Sequence, residues 1–225
     1  MKTVAPVRAL TRPFAALGLA IAALGVALPA AATIVSGTVI TGGAGATFVK
    51  LPVPFTASTP DNTVGNDTFQ TPNLYGFDED QNIVLSAPLT VDTVASGSTT
   101  LVAGTTVASH YIFFDPRQGS IKGTVDFDSD VVAIIFGTAN LLASDFLANT
   151  GVNYLNPTLR GLEAGDSVTI SGARQILFDT SASTPGDYVR VLTAYSPGAV
   201  PEPGALGLVA AALGGLMLSR RRARG

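Results

Sequence analysis

An uncharged apolar run lies near each end of the chain, at residues 14–28 and 204–218. These two runs confine any water-exposed fold to the residues between them. The intervening body, residues 33–199, is long enough for one domain. A body of this size buries roughly 70% of the surface that its unfolded chain exposes, so it needs no disulfide. Cysteine is absent, which also excludes cysteine-based zinc and iron–sulfur sites.

The amino-terminal run has the layout of a secretory signal peptide. Three basic residues precede residues 14–28, and Pro29 ends the run. Ala30 and Ala32 then place small side chains at the −3 and −1 positions that signal peptidase reads. We predict a signal peptide over residues 1–32, cleavage after Ala32 and Thr33 as the new amino terminus. An uncleaved amino-terminal anchor is the alternative.

The carboxyl-terminal run is preceded by prolines and followed by arginines. Pro201 and Pro203 fix the backbone and favour an extended tether. The fifteen residues 204–218 span roughly 22 Å as a helix, less than the ~30 Å hydrocarbon core of a bilayer. A basic cluster then marks the cytoplasmic side. A simple membrane anchor is consistent with these features. The basic cluster is Arg220, Arg221 and Arg222.

Pro201-Glu202-Pro203, a short Gly/Ala/Leu helix and a terminal arginine cluster together resemble the PEP-CTERM sorting signal of Gram-negative bacteria. The resemblance covers residues 199–225: the motif at 200–203, a transmembrane helix at 204–219 and a basic tail at 220–225. It implies recognition by an exosortase, a membrane protease-transpeptidase that removes the helix. The precursor is then held in the inner membrane, and the body reaches the outer surface or the extracellular matrix.

The charge of the body differs from that of the whole chain. Residues 33–199 hold six basic and fifteen acidic residues, a formal charge of −9, whereas the whole chain carries −3. Nucleic-acid-binding domains carry a basic footprint, so this balance argues against a nucleic-acid partner. It is compatible with an extracellular protein and with divalent cations.

The body is predicted to be all-β. Runs rich in Val, Ile, Thr, Phe and Tyr alternate with Gly, Pro, Asn and Asp, which is typical of a sandwich or barrel. We predict a single jelly-roll-like β-sandwich at residues 33–198, with a short helix between residues 138 and 149 where Leu142 and Phe146 share a face. The predicted strands are 33–41, 46–51, 82–85, 89–94, 105–115, 119–127, 131–136, 166–171, 174–178 and 188–194.

His110 is the only histidine, and the two-residue period of a strand places it beside Ile112 and Phe114. A Ser-His-Asp triad also needs a nucleophile and an orienting acid. The chain has no Gly-x-Ser-x-Gly elbow. A packed or edge-strand histidine is therefore the preferred interpretation over a general base.

Asp126, Asp128 and Asp130 alternate along the chain, and on a strand they would share one face. Carboxylate oxygens suit Ca²⁺, so the row is a calcium candidate. It does not fit an EF-hand loop, whose sixth and twelfth positions would be Val131 and Gly137. A solvated strand or hairpin face is the preferred interpretation. No cofactor is expected, and calcium is the one alternative that the sequence suggests.

A second acidic cluster occupies residues 77–82 and is predicted to be a turn or strand entry. Asp78 and Asp80 are the calcium candidates here. Two carboxylates about 5–9 Å apart also serve glycoside hydrolysis. The body lacks the tryptophan that sugar subsites commonly use, so solvation or calcium is preferred.

The body as a whole is similar to a set of uncharacterised PEP-CTERM proteins. This resemblance carries no activity with it. The stretches that carry it are Phe77-Asp78-Glu79 with Gln81-Asn82, Ser109-His110-Tyr111 with Phe114-Asp115-Pro116, Gly161-Leu162-Glu163 with Gly165-Asp166, and residues 185–193.

These observations predict an exported, non-enzymatic protein with a structural or interaction role in the envelope, biofilm or exopolysaccharide. Its expected partners are signal peptidase, an exosortase-like protease, the inner membrane and exopolysaccharide. A carbohydrate-binding module, with or without calcium, is the alternative. A secreted glycoside hydrolase is a more remote one.

Overall fold

The computed structural model describes residues 32–195. Ala32 is the first described residue and is fully buried. The predictions for Ala30, for the sorting motif at 201–203 and for the basic residues at 220–222 lie outside the described residues. Within residues 32–195, no helix is both long and apolar enough to cross a membrane.

The described chain is mostly β, with one short α-helix, α1 (Thr138–Ala143), and two 3₁₀ helices, Asp145–Leu147 and Pro157–Leu159. The strands are β1 (Ile34–Thr41), β2 (Phe48–Lys50), β3 (Thr63–Val64), β4 (Leu74–Asp78), β5 (Ile83–Val84), β6 (Leu89–Thr90), β7 (Thr93–Val94), β8 (Thr100–Leu101), β9 (Thr106–Phe114), β10 (Gly119–Phe127), β11 (Val131–Ile135), β12 (Asn153–Tyr154), β13 (Ser167–Gly172), β14 (Gln175–Ala182) and β15 (Asp187–Ala194).

Two sheets organise these strands. A four-stranded sheet has the order β1-β10-β14-β13, and a seven-stranded sheet has the order β2-β4-β9-β15-β11-β7, with β5 also paired to β9. Most neighbours are antiparallel, but β2 runs parallel to β4. Two small ribbons, β12-β3 and β6-β8, lie apart from them. The two longest strands of the large sheet, β9 and β15, are adjacent at its centre.

The two sheets share an inter-sheet core. It combines apolar side chains from β10 and β14 with others from β9 and β15, so the sheets face each other across it. Fully buried aliphatic and aromatic side chains fill this space. Its buried members are Ile34, Leu74, Ile112, Phe114, Ile121, Val125, Phe127, Val131, Ile134, Val168, Ile176, Phe178, Ala182, Val189 and Val191.

The opposite face of the seven-stranded sheet carries a second, outer core. Here the covering layer consists of α1, the first 3₁₀ helix and the connections around residues 51–69. Aromatic rings dominate, and Tyr188 is stacked against both Tyr111 and Phe113. Its buried members are Leu51, Phe55, Val64, Phe69, Tyr75, Phe77, Leu85, Leu89, Val91, Val107, Tyr111, Phe113, Ala133, Ile135, Leu141, Leu147, Val152, Tyr188 and Leu192.

Burial on both faces explains the composition of β9. Successive side chains of a strand point to opposite faces, so Tyr111 and Phe113 enter the outer core while Ile112 and Phe114 enter the inter-sheet core. A strand covered on both sides reads as a continuous apolar run. Residues 32–195 contain two hydrophobic cores of their own, which is what a domain requires.

The structure differs from the sequence-based prediction at β4. We predicted a turn or strand entry at residues 77–82, but β4 covers Leu74–Asp78 and lies between β2 and β9. Pro72, Asn73 and Gly76 supply the turn signals that concealed it. Gly76 is needed because a Cβ there would lie 2.7 Å from the Ile112 side chain.

Two further predictions are corrected. The short helix lies between residues 138 and 149 as predicted, but its expected apolar face is wrong. Leu141 on α1 and Leu147 on the following 3₁₀ helix are buried, whereas Leu142 and Phe146 are exposed. The segment after β10 is not a hairpin, because β10 and β11 belong to different sheets and residues 128–130 connect them.

Gly161 and Gly165 offer a matched test of close backbone packing. Both have positive φ, but a Cβ at Gly161 would lie 2.6 Å from the carbonyl oxygen of Phe136, whereas a Cβ at Gly165 meets nothing within 4 Å. We expect Gly165→Ala to lower the free energy of unfolding by about 1–2 kcal/mol through backbone strain. Gly161→Ala should cost about 1–3 kcal/mol more, because it adds a steric clash. Urea denaturation measures both, and equal losses would contradict the packing described at Gly161.

Candidate functional site

Two polar clusters lie back to back on the seven-stranded sheet. Asp78 and Glu79 are consecutive in the chain, as are Ser109 and His110, and consecutive side chains of a strand point to opposite faces. Glu79 and Ser109 therefore enter the outer-core face, and Asp78 and His110 enter the inter-sheet face. Register places Asp78 opposite His110 on β9. We call the group on the outer-core face the arginine cluster and the group on the inter-sheet face the histidine cluster.

The arginine cluster centres on a buried ion pair. Arg190 donates from Nε to Glu79 Oε2 at 2.6 Å and from Nη2 to Glu79 Oε1 at 2.9 Å. Both side chains are completely inaccessible to solvent. Burial alone lowers the pKa of Arg190, but the charge and hydrogen bonds of Glu79 outweigh it and raise that pKa above its ordinary value. The pair is a bidentate arginine–carboxylate contact, which is geometrically specific.

Neighbouring groups satisfy the remaining hydrogen-bonding capacity of the pair. Ser109 Oγ donates to Glu79 Oε2 at 2.6 Å, and the Tyr154 hydroxyl donates to Oε1 at 2.7 Å. Arg190 Nη1 donates to Ser144 Oγ at 2.6 Å. The guanidinium also lies 5.7 Å from the centre of the Tyr111 ring, within cation–π range.

Arg160 extends the arginine cluster toward the surface. It donates from Nη2 to Asp145 Oδ2 at 2.6 Å, and Asp145 Oδ1 lies 3.4 Å from Nη1 of Arg190. Asp145 therefore joins the two guanidinium groups. Burial raises the pKa of both Tyr111 and Tyr154, so neither phenol is prepared to lose a proton. The arrangement joins the covering layer to the large sheet through paired charged groups.

The histidine cluster has the order of a catalytic triad. His110 Nδ1 lies 2.8 Å from Asp78 Oδ1, and Nε2 lies 3.0 Å from Thr193 Oγ1. In the neutral ring with Nδ1 protonated, Asp78 accepts that proton's hydrogen bond and Nε2 accepts one from the Thr193 hydroxyl. However, His110 and Thr193 are both fully buried, and the Phe127 ring packs on the imidazole with its centroid 4.9 Å from the imidazole centroid.

The burial of His110 confirms that it is a packed side chain on the face that holds Ile112 and Phe114. A substrate has no path to Thr193, since the inter-sheet core surrounds it. The cluster therefore lacks the exposed nucleophile that the triad mechanism requires. Its hydrogen bonds tie β4, β9 and β15 together through their side chains.

Asp78 is the point at which the histidine cluster meets solvent. Its Oδ2 accepts from Lys50 Nζ at 2.8 Å and from Thr33 Oγ1 at 2.7 Å, and its Oδ1 accepts from the Ile34 amide at 2.9 Å. Burial alone raises the pKa of Asp78, but the hydrogen bond and attraction of His110 outweigh it, aided by Lys50 and Ile34. The net pKa lies far below the usual range, so Asp78 is a charged anchor for the start of the fold.

Two carboxyl groups lie at the opposite end of the central strand pair. Asp115 follows β9, Asp187 begins β15, and both are buried. Burial raises the pKa of Asp115 to about 6. Burial, followed by repulsion from Asp166 and Glu163, raises that of Asp187 to about 7. One oxygen of each carboxyl has no hydrogen-bond partner. The sequence predicted Asp115 only as the end of a strand and gave no site role to either residue.

The predicted calcium candidates on the aspartate row have separate partners. Asp126 accepts from Ser36 and Gln175. Asp128 accepts from the Thr33 amide, and Asp130 pairs with Arg174. Only Asp126 lies on a strand, so the three do not share a strand face.

The other two candidates, Asp78 and Asp80, differ in environment. Asp78 is paired as described above, whereas burial and then the charge of Glu79 raise the pKa of Asp80. Across residues 32–195, no group of three or more His, Asp or Glu side chains is arranged to hold a metal ion.

The four sequence stretches that carry the body's resemblance meet in space. The first two supply Glu79 and Ser109, and the last supplies Arg190. The third joins through Gly161, whose carbonyl accepts from the Tyr188 amide at 3.4 Å. Three of the four stretches therefore contribute side chains to the arginine cluster.

No known protein-family model matches this chain, and neither a curated protein nor a solved structure matches it.

The buried ion pair yields a stability prediction. Arg190→Met leaves the Glu79 carboxylate buried without its cation, which typically costs about 3–5 kcal/mol of unfolding free energy. The matched control is Arg174→Met, because Arg174 and its partner Asp130 are both 62% exposed and such pairs contribute about 0–1 kcal/mol. Chemical denaturation of both variants measures the contrast. Similar small losses would show that Arg190 does not hold the centre together.

The raised pKa of Asp187 yields a pH prediction. Its carboxyl group binds a proton more tightly in the folded protein, so it favours folding below its unfolded pKa near 3.9 and loses that contribution as pH rises through about 7. Asp187→Asn should therefore reduce the decline in unfolding free energy between pH 5 and pH 8 by about 2–3 kcal/mol. The exposed Asp61→Asn serves as the control. If the unfolding free energy of the wild type and of Asp187→Asn declined equally between pH 5 and pH 8, the raised pKa of Asp187 would be contradicted.

Proposed function

We propose that this chain is the precursor of an exported surface or matrix protein, sorted by an exosortase-type system, with a structural or interaction role in the envelope, biofilm or exopolysaccharide. The observation that carries the proposal is the placement of the two processing signals relative to the strands. β1 begins at Ile34, immediately after the predicted cleavage point, and β15 ends at Ala194, before the motif at 200–203. Removal of both signals would therefore leave every strand of the described residues intact.

The polar groups of the body support a structural role. The arginine and histidine clusters combine the charged side chains most typical of catalysis, but both are buried and already paired. A hydrolase that uses His110 would need an accessible nucleophile, and Thr193 is inaccessible. The proposal is therefore for a protein that acts through its surface and its location rather than through chemistry.

We further propose that the two facing sheets form a jelly-roll-like sandwich. The shared inter-sheet core supports this interpretation. The additional outer core, covered by loops and α1, distinguishes the fold from a simple two-layer arrangement. A domain closed on both faces suits an exposed location outside the cell.

A carbohydrate-binding module stays the alternative. Most aromatic rings of the body are in the cores, while Phe146 and Tyr195 are exposed. A shallow depression between β7 and β13 is lined by Thr93–Ala95 and Thr169–Ala173 and contains no aromatic ring. Sugar stacking has no platform there, which favours the structural role.

Intact-mass analysis tests the sorting proposal. In a Gram-negative host that has an exosortase, the mature protein should lack the arginines at 220–222. Replacing Pro201, Glu202 and Pro203 together by alanine should leave export intact but block release, since the recognition motif is lost. Pro197→Ala, outside the motif, is the control and should be released normally. A mature protein that retains the arginines at 220–222 would refute exosortase processing. The carboxyl-terminal run would then be a simple membrane anchor.

A further inference from the structure

Several hydrogen bonds hold Thr33, the residue that follows the predicted signal cleavage point. The Thr33 amide donates to Asp128 Oδ1 at 2.8 Å, and the Asp128 amide donates back to the Thr33 carbonyl at 3.1 Å. The Thr33 hydroxyl donates to Asp78 Oδ2 at 2.7 Å. Lys50 Nζ contacts that same hydroxyl and donates to the Ile34 carbonyl at 2.7 Å. A single residue is thus held by its amide, its carbonyl and its side chain.

These contacts come from distant parts of the chain. Asp128 lies in the connection between β10 and β11, Asp78 ends β4 and Lys50 ends β2. Three separate segments therefore converge on Thr33. Such convergence is unusual for the first residues of a domain, which are poorly ordered unless they are tied down.

The charge balance around Thr33 favours a cation at its backbone nitrogen. Within residues 32–195, no basic side chain forms an ion pair with Asp128, and its carboxylate accepts a hydrogen bond from the neutral Thr33 amide. Lys50 is also nearby, but it is already paired with Asp78. The nitrogen of Thr33 thus lies beside a carboxylate whose charge is not balanced at that point.

We propose that Asp128 is the binding site for the α-ammonium group that forms at Thr33 when the signal peptide is removed. This inference rests on the proposed cleavage after Ala32. In the precursor, Thr33 offers Asp128 one neutral N–H. After hydrolysis of the Ala32–Thr33 amide bond, water supplies the hydroxyl of the departing carboxyl group, and the released amine takes up a proton at neutral pH. The same nitrogen then carries a full positive charge at hydrogen-bonding distance from Asp128.

The site makes the stability of the body depend on its processing. An ion pair replaces a neutral hydrogen bond without any movement of the backbone, and charged hydrogen bonds are the stronger kind. The uncleaved precursor has no ammonium group at Thr33 and cannot form the ion pair. In a protein that begins one residue earlier, the ammonium group lies about 3.8 Å further along the chain, away from the Thr33 nitrogen. Cleavage after Ala32 therefore creates an ion pair that is absent from the precursor and from a protein cleaved at a neighbouring bond.

A double-mutant cycle tests the site directly. Two proteins, beginning at Thr33 or at Ala32 and both ending at residue 199, are made by scarless removal of a fusion partner, each with Asp128 or with Asp128→Asn. The asparagine keeps an acceptor for the amide but removes the charge. For each background we compare the melting temperature of the protein that begins at Thr33 with that of the protein that begins at Ala32. We expect this difference to be about 2–4 °C more favourable to the Thr33 protein with Asp128 than with Asp128→Asn. The cycle cancels the cost of losing the buried Ala32 itself.

Equal effects of Ala32 removal in the two backgrounds would overturn the proposal. If Asp128→Asn does not fold, the salt dependence of the two wild-type proteins decides, because 1 M NaCl screens the pair and should reduce their difference in melting temperature. A difference unchanged by salt would likewise refute the site. Neither measurement depends on export. Intact mass of the exported chain reports separately whether cleavage occurs after Ala32.

Discussion

The bidentate contact between Arg190 and Glu79 is the interaction on which the rest of the large sheet depends. Two opposite charges without solvent access are tolerated only when every remaining donor and acceptor finds a partner. Ser109, Ser144 and Tyr154 provide those partners, and they come from β9, the end of α1 and β12. The pair thereby fixes how the covering layer sits on the sheet, and the outer core fills the space that remains.

The histidine cluster applies the same requirement to the other face. Asp78 follows the register of β4, so its carboxylate meets His110 across the strand pair while its neighbour Glu79 meets Arg190. A shift of one residue would exchange the two faces, placing each carboxylate away from its hydrogen-bond partner. Two adjacent acids with different partners therefore specify a unique register for β4 against β9. This requirement explains why charged residues persist where apolar ones would pack as well.

Much of the architecture was predictable because strand patterning is local. The long strands β9, β10 and β15 stand out as apolar runs between turn residues, and the position of His110 follows from their period. β4 was not predictable, since its turn-forming neighbours and Gly76 obscure it. The ion pair joins residues 79 and 190, and no local pattern links positions so far apart. Likewise, the separation of Asp126, Asp128 and Asp130 arises from a chain that changes sheets, which residue spacing does not reveal.

The position of β15 has a consequence for the order of events. This strand is the last one among the described residues, yet it lies between β9 and β11 at the centre of the seven-stranded sheet. It also brings Arg190 and Thr193 to the two polar clusters. The sheet therefore cannot be completed before residue 194 is available. This connectivity delays the formation of a complete core, which is compatible with the export proposed for this chain.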